Sequence, residues 1–451
     1  MICIFKFKLS RKKINPARRI AVGFALLIII GAVLLMLPVS SRTGESTPFL
    51  TALFTSASAT CVTGLSLVNV GGYFNVLGQA IILILIQVGG LGFMSVLCFV
   101  FLVSNRQIGL RNRILIAQSM GADSLEGVVK LVKHVLYIAS SVELIGAVFL
   151  SVRFIPKYGA LKGIWFSIFH SVSAFCNAGF DIIGDGQSMF SYRFDPLVII
   201  TLALLIIIGG LGFIVWEDII NKKSFKRLST YSKIVLVSTV LCIVIGAALY
   251  LLFEYNNPAT IGSDSIGEKL LMTFFQSVTT RTAGFDALKQ SGLTPLSKVW
   301  GILLMMIGGA SGSTAGGVKI GTFALVLLTL YAVLRGKTDV VILGRRIGHK
   351  AILHAMSLLV LWFLLTLTGA MLIAFADGHS VLYSMYETAS AYSTVGLSVG
   401  ISENASVFTK ILLIIYMFLG RVGIMTISVL FMIHSGREKD IKYPEGRFII
   451  G

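Results

Sequence analysis

Eight long apolar runs constrain this chain more than any other feature of its sequence. A helix of about 20 apolar residues crosses a bilayer, and each run reaches or approaches that length. The runs are Ile20–Leu37, Val76–Val103, Val135–Ile155, Leu197–Trp216, Ile234–Phe253, Val299–Leu334, Ala351–Ala376 and Val407–His434. Only 13% of the residues are charged, about half the fraction of a soluble domain. The sequence predicts an all-α polytopic membrane protein with eight spans, and it excludes a soluble or disordered chain.

A shorter semi-apolar segment lies between the two runs of each successive pair. These segments are Thr47–Ala59, Lys162–Phe175, Gly267–Thr279 and Ser380–Ala391. They are too short to cross a bilayer, because crossing takes about 20 residues. We expect each to enter the membrane as a re-entrant pore helix, with the chain returning to the same side.

Lys and Arg residues are concentrated at the two termini and in the loops after the second, fourth and sixth runs. The positive-inside rule therefore places both termini in the cytoplasm and the re-entrant segments outside. The formal net charge of +18 is explained by this topology and by attraction to acidic lipid headgroups. No nucleic-acid partner is expected.

A glycine motif recurs after each re-entrant segment, at intervals of 105 to 115 residues. The motifs are Cys61-Val62-Thr63-Gly64-Leu65-Ser66, Cys176-Asn177-Ala178-Gly179-Phe180-Asp181, Arg281-Thr282-Ala283-Gly284-Phe285-Asp286 and Ser393-Thr394-Val395-Gly396-Leu397-Ser398. They predict four repeats of span, pore helix, glycine-centred strand and span, with pseudo-four-fold symmetry around one central pore. The repeats cover residues 20–110, 111–227, 228–340 and 341–434, between a basic N-terminus (1–19) and a C-terminal tail (435–451).

The four motifs have the chemistry of a cation filter. Non-helical backbone at membrane depth must line a watery path or be buried in protein, because its carbonyl groups lack internal partners. Glycine adopts positive φ and lets four backbones approach one axis, while each pore helix points its partly negative C-terminus at the centre. Rings of carbonyl oxygens select cations in this way.

The sixth run is interrupted at its centre. As one helix of 36 residues it would be about 54 Å long, against a hydrocarbon core of about 30 Å. Its centre reads Gly308-Gly309-Ala310-Ser311-Gly312-Ser313-Thr314-Ala315-Gly316-Gly317-Val318-Lys319, which is poor helix, so we expect an intramembrane loop below the filter. Bends, or close helix contacts, are predicted at the equivalent glycine clusters, which are Gly89-Gly90-Leu91-Gly92-Phe93, Gly209-Gly210-Leu211-Gly212-Phe213 and Gly420-Arg421-Val422-Gly423.

Ionisable residues inside the runs are costly and usually functional. Arg421 lies in the middle of the eighth run, and we expect it to face the cavity, donate hydrogen bonds to carbonyls of the Gly308–Gly317 loop and repel cations. Lys319 either belongs to the same site or extends to the inner interface. Glu143 is expected to be a helix-packing partner rather than an ion ligand.

These motifs and repeats make the chain resemble the Trk/Ktr/HKT superfamily of potassium transporters over essentially its whole length, and within it the KtrB/KtrD type of membrane subunit. The resemblance implies transport of K⁺, with Na⁺ as a candidate activator, across the cell membrane of a bacterium. It implies that the Gly308–Gly317 loop, with Lys319 and Arg421, is a gate. It also implies ion-coordinating carbonyls at Val62, Thr63, Gly64, Asn177, Ala178, Gly179, Thr282, Ala283, Gly284, Thr394, Val395 and Gly396.

The sequence contains no Gly-x-Gly-x-x-Gly after a strand, so no nucleotide-binding fingerprint is found in the chain itself. The resemblance implies a homodimer that packs on a cytoplasmic, octameric ring of KtrA-like or KtrC-like subunits, which would bind ATP and ADP. The tail from Lys442 to Gly451 would suit the dimer contact or the ring.

Two other functions stay open on the sequence alone. A secondary symporter of Na⁺ and K⁺ would also have broken helices, although inverted halves are expected there. Gly309-Ala310-Ser311-Gly312 matches the Gly-x-Ser-Gly of intramembrane serine proteases, whose serine needs a histidine base within hydrogen-bond reach. Only His354 and His434 fall within or near the runs, towards their cytoplasmic ends, so we expect no enzymatic activity.

Overall fold

The computed structural model describes residues 16–92, 128–183, 188–337, 339–342 and 344–423, and within these ranges the chain is mostly helical. The helices are α1 (Pro16–Met36), α2 (Phe49–Cys61), α3 (Val70–Tyr73), α4 (Val76–Leu91), α5 (Val128–Tyr158), α6 (Ala160–Phe175), α7 (Pro196–Leu211), α8 (Phe213–Lys222), α9 (Thr230–Glu254), α10 (Ile266–Thr279), α11 (Pro295–Met306), α12 (Ile320–Leu334), α13 (His349–Asp377), α14 (Val381–Tyr392), α15 (Ile401–Asn404) and α16 (Val407–Val422). The strands β1 (Val341–Ile342) and β2 (Arg345–Arg346) form a small antiparallel hairpin.

Parts of several predictions lie outside the described residues. They are the first 15 residues of the basic N-terminus, the second run from residue 93 with the basic loop up to residue 127, the eighth run from residue 424 and the tail Lys442–Gly451.

Among the described residues, four helices are long and apolar enough to cross a membrane, judged by length and composition. They are Arg18–Met36, Val132–Tyr158, Thr230–Glu254 and His349–Asp377. A fifth candidate is the pair α7 and α8, which is bent by 93° at Gly212. The sixth run contains two shorter helices, α11 and α12, with residues 307–319 between them. The predicted interruption of that run is therefore present.

The first long helix of each repeat packs on the short helix that follows it, through a glycine and a hydroxyl residue. The pairs are Gly31 with Ser56, Gly146 with Ser171, Gly246 with Ser277 and Gly369 with Thr388. In the first pair the Ser56 hydroxyl donates a 2.7 Å hydrogen bond to the carbonyl oxygen of Ile28. Since a Cβ on these glycines would collide with the hydroxyl residue, the small residues set how closely the helices approach.

The short helices α2, α6, α10 and α14 begin at the surface and end in the interior. Near their starts Phe49 and Ile266 are 57% and 69% exposed, whereas Cys61 and Thr279 at their ends are fully buried. This direction brings the residues that follow each short helix into the core of the protein, where the four glycine motifs lie.

Candidate ion pathway

The backbone of the four glycine motifs alternates in handedness. The residue two positions before each glycine has a positive φ of 58°, 58°, 67° and 52°, at Val62, Asn177, Thr282 and Thr394. The glycines themselves have φ values between 66° and 100°. Positive φ is uncommon for residues with a side chain. The expectation of a glycine-centred strand is therefore wrong, because two left-handed residues in three are incompatible with extended β geometry.

The four glycines form a closed ring. A Cβ built on any of them would collide with the carbonyl oxygen that precedes the glycine of the next repeat. Gly64 faces Ala178, Gly179 faces Ala283, Gly284 faces Val395 and Gly396 faces Thr63. The first two distances, from Cβ to oxygen, would be 2.6 Å. Each motif thus contacts the next one along the chain, and the fourth contacts the first, with backbone against backbone.

Amide groups of the motifs donate hydrogen bonds back to the short helices that precede them. Thr63 and Ala178 each donate an N–H bond of 2.8 Å to the carbonyl oxygens of Ser58 and Ser173, and Val395 donates one of the same length to Ser390. By contrast, no carbonyl oxygen of the twelve predicted filter residues accepts a hydrogen bond from the described part of the chain. Buried carbonyl groups normally have partners, so these oxygens are free to bind something else.

A hydroxyl near the end of each short helix bonds to the motif that follows. Ser58 and Ser390 accept hydrogen bonds from the N–H groups of Gly64 and Gly396, at 3.1 and 3.0 Å. In the other two repeats the hydroxyl acts as a donor instead, from Ser173 to the carbonyl of Phe180 and from Thr279 to that of Phe285, both at 2.9 Å. The first and fourth motifs therefore share one hydrogen-bond pattern, and the second and third share the other. Their sequences divide in the same way, into Gly-Leu-Ser and Ala-Gly-Phe-Asp.

Backbone hydrogen bonds join the two ends of the Gly308–Gly317 loop in a narrow neck. Gly308 donates an N–H bond of 2.9 Å to the carbonyl of Val318, and Val318 donates one of 3.0 Å to Met306. Lys319 also bonds to the loop at this point, because its ammonium group donates a 2.6 Å hydrogen bond to the carbonyl of Ala315. Of the two interpretations left open for Lys319, the contacts favour membership of the loop site.

Beyond this neck the loop reaches across to opposite repeats. On one side Ala310 donates an N–H bond of 2.9 Å to the carbonyl of Gly210, and the Thr314 hydroxyl donates one of 3.1 Å to that of Phe175 at the end of α6. On the other side Gly316 lies against Ser393 and Thr394 of the fourth motif. The loop therefore bridges the second glycine cluster and the fourth motif, directly beside Thr394 of that motif.

Arg421 ties this loop to the first repeat. One amino group of its guanidinium donates a 2.5 Å hydrogen bond to the carbonyl of Thr314. The other donates to the carbonyls of Gly89 and Gly90, at 2.5 and 2.9 Å. The predicted hydrogen bond from Arg421 to the loop is present, and the contact with the glycine cluster of the first repeat is an addition to it.

Other predicted residues lie apart from the ring. Glu143 is buried and accepts two hydrogen bonds from the Gln87 amide, at 3.0 and 3.1 Å, which agrees with a packing role. Ser311 lines a cavity of about 540 Å³ together with His354. Within the described residues its backbone N–H bonds to the hydroxyl of Tyr231, and no hydrogen bond joins it to a histidine.

Sequence reasoning missed a carboxylate that supports the fourth motif. Glu387, fully buried in α14, accepts hydrogen bonds from the Ser398 hydroxyl, from the N–H of Val399 and from Ser402. It holds the chain directly after the fourth motif. The signal was available, since an ionisable residue in a re-entrant segment is unusual.

Comparison with known proteins identifies the family. The family model described as TrkH, Cation transport protein, matches residues 15–442. The potassium/sodium uptake protein NtpJ of Enterococcus hirae is 40% identical over 449 residues, covering 98% of this chain and 99% of that protein. The Ktr system potassium uptake protein B of Bacillus subtilis is 39% identical, covering 97% of each chain.

A solved structure shows the same fold. The potassium transporter TrkH of Vibrio parahaemolyticus superposes with a TM-score of 0.75 over 94% of this chain and 86% of that one, at 17% sequence identity. Cation transport is not an enzyme class, which leaves the protease motif without support. This chain belongs to the TrkH family of cation transport proteins.

Proposed function

We propose that this chain is the ion-conducting subunit of a potassium uptake system, with passive, channel-like flux of K⁺. The similar protein of Bacillus is named as a potassium uptake protein, and that of Enterococcus as a potassium/sodium uptake protein. In this proposal eight spans in four repeats (20–110, 111–227, 228–340 and 341–434) surround one pore in the cell membrane of a bacterium. The basic N-terminus (1–19) and the tail (435–451) lie in the cytoplasm, as the positive-inside rule predicts.

One observation carries the proposal: the four motifs close into a ring whose carbonyl oxygens accept no hydrogen bond from the described residues. Carbonyl oxygens that replace an ion's hydration shell are the means by which channels bind K⁺. Each pore helix also ends at the ring and adds its negative dipole end, which favours a cation there. The ion would therefore bind at Val62–Gly64, Asn177–Gly179, Thr282–Gly284 and Thr394–Gly396.

The Gly308–Gly317 loop acts as the gate in this proposal. It bridges opposite repeats beside the filter, held by Thr314, Lys319 and Arg421. Two cationic side chains below a cation filter also oppose the passage of K⁺ electrostatically. Opening requires these hydrogen bonds to break.

Control would come from a separate polypeptide. Two copies of this chain would pack on a cytoplasmic octameric ring of nucleotide-binding subunits, and the exchange of ATP for ADP on the ring would move α12. Na⁺ would act as an activator.

A second candidate is a symporter of Na⁺ and K⁺, which the name of the Enterococcus protein favours. The two mechanisms differ in whether K⁺ movement requires Na⁺. Glycine occupies all four ring positions here, including Gly64, and the resemblance to potassium transporters implies K⁺ as the preferred ion.

Uptake of ⁸⁶Rb⁺ by the purified chain in liposomes tests the proposal. We expect uptake that excess external K⁺ abolishes and equal Na⁺ leaves nearly unchanged, and that rises when the nucleotide-binding ring is added with ATP. Equal competition by K⁺ and Na⁺ would contradict a potassium filter at the ring.

A further inference from the structure

An apolar groove lies on the outer face of the broken span. It has a cavity volume of about 590 Å³ between α9, α11 and α12. We call it the α9–α12 groove, and its walls are formed by Val237, Leu241, Ile245, Leu303, Phe323 and Leu327. Most of these side chains are about half exposed, which in a membrane means contact with lipid.

The groove has a basic mouth. Lys233 lines it at the start of α9, beside Ile342 of β1. Within the described residues no carboxylate pairs with Lys233, whose ammonium group donates only to the carbonyl of Lys226. The connection from Lys222 to Lys233 contains five basic residues. A basic cluster next to the hydrocarbon attracts anionic lipid headgroups, by about 1 kcal/mol for each Lys or Arg.

The length of the groove matches one leaflet. Its lining on α9 extends from Lys233 to Ile245, which is about 18 Å of helix at 1.5 Å per residue. Half of a hydrocarbon core of about 30 Å is about 15 Å. The groove therefore accommodates one acyl chain that enters beside Lys233 and ends near Trp300.

A second groove in the protein provides a contrast. A cavity of about 410 Å³ between α5 and α7 is lined by apolar residues and Thr201, and the arginine near its Pro196 end, Arg153, is paired with Asp195 at 3.0 Å. Both grooves would accept hydrocarbon, but only the α9–α12 groove combines the apolar channel with a cationic mouth.

We propose that the α9–α12 groove binds an anionic phospholipid of the cytoplasmic leaflet, with its headgroup at Lys233 and one acyl chain along α9. The chain would lie against Ile307 at the base of the loop and against Phe323 of α12. The lipid thus contacts the part of the sixth run that the proposed gate would move. Only the choice of leaflet and this link to the gate rest on the proposed function.

Trp300 lines the groove and serves as a reporter. The protein is reconstituted in phosphatidylcholine vesicles that contain one brominated lipid. This lipid is either phosphatidylglycerol or phosphatidylcholine, with bromine on the acyl chain. The fluorescence difference between wild type and Trp300→Phe isolates the Trp300 signal. We expect stronger quenching by the brominated phosphatidylglycerol. Lys233→Gln should lower this preference about fivefold, while Lys162→Gln, an exposed lysine outside this basic connection, should keep it.

A filled groove gives a second test. Ala324→Phe places a ring inside the groove and should reduce quenching by both lipids, whereas Val333→Phe on the lipid-exposed face of α12 should not. Equal quenching by the two lipids, unchanged in Lys233→Gln, would overturn the proposal in favour of ordinary lipid contact. Quenching that appears only after dilution to monomers would overturn it in favour of a second copy. No ion flux enters this measurement, so its failure and that of the transport proposal are distinguishable.

Discussion

Arg421 donates a hydrogen bond of 2.5 Å to the carbonyl oxygen of Thr314, which lies 107 residues earlier in the chain. Its second amino group reaches the carbonyls of Gly89 and Gly90. One side chain thus connects the fourth repeat, the loop of the third and the glycine cluster of the first. The planar guanidinium has five donors in a fixed fork, and a lysine cannot reproduce that geometry.

Removing the Arg421 fork should release the loop. Hydrogen bonds from a charged donor contribute about 1.5–3 kcal/mol each, so Arg421→Ala should raise ⁸⁶Rb⁺ flux and weaken its dependence on the nucleotide-binding ring. Arg421→Lys keeps the charge without the fork, and it separates the two effects: high flux in both variants identifies the hydrogen bonds, and high flux in Arg421→Ala alone identifies the charge. Reduced flux in both, with normal folding, would mean that the loop shapes an ion site.

Gly284→Ser should reduce the preference for K⁺ over Na⁺. The added Cβ would collide with the carbonyl oxygen of Val395, and φ at this position is 79°, so the ring of oxygens must distort. Gly267→Ser is the matched control, because a Cβ on Gly267 meets nothing within 4 Å. Competition of K⁺ and Na⁺ against ⁸⁶Rb⁺ measures the effect, and unchanged discrimination in Gly284→Ser would refute the assignment of the filter.

Ser390→Ala should weaken both the filter and the fold. It leaves the N–H group of Gly396 without its 3.0 Å partner, and a buried donor without a partner costs about 1–3 kcal/mol. We expect a lower melting temperature in detergent together with reduced ion discrimination. Ser357→Ala, which removes an exposed hydroxyl bonded to its own helix, should change neither. A loss of stability with discrimination intact would show that Ser390 is only a structural residue.

The features that depend on a short stretch of sequence could be predicted. The four short helices, the interruption at Gly308–Gly317 and the hydrogen bond from Arg421 to the loop follow from length, glycine content and the cost of a buried charge. The strand expected at each motif was wrong, because nothing in Val62-Thr63-Gly64 distinguishes an extended backbone from one that alternates in handedness. The repeated contact of Gly31 with Ser56 was also missed, since the spacing is the same in the first two pairs but differs in the other two, and only packing reveals it.

Gly317→Ala should destabilise the closed loop. Gly317 has φ of 65°, and a residue with a side chain pays about 1–2 kcal/mol in the left-handed region. In the assembled complex we expect higher flux with ADP and hence a smaller ratio of ATP-state to ADP-state flux. Gly336→Ala is the control and should leave the ratio unchanged. It carries the same strain at the other end of α12, where φ is 67° and a Cβ meets nothing within 4 Å. Equal ratios in the two variants would show that α12 responds to strain anywhere along its length.

The most direct test of passive K⁺ conduction is ⁸⁶Rb⁺ accumulation by the purified protein in liposomes loaded with KCl, with Na⁺ absent from both sides. Our account predicts that wild type accumulates ⁸⁶Rb⁺ to the level set by the K⁺ gradient alone, that valinomycin adds nothing to the final level, and that Arg421→Ala reaches it sooner. Accumulation that begins only when a Na⁺ gradient is imposed, and that scales with that gradient, would contradict a passive pore and establish coupled transport.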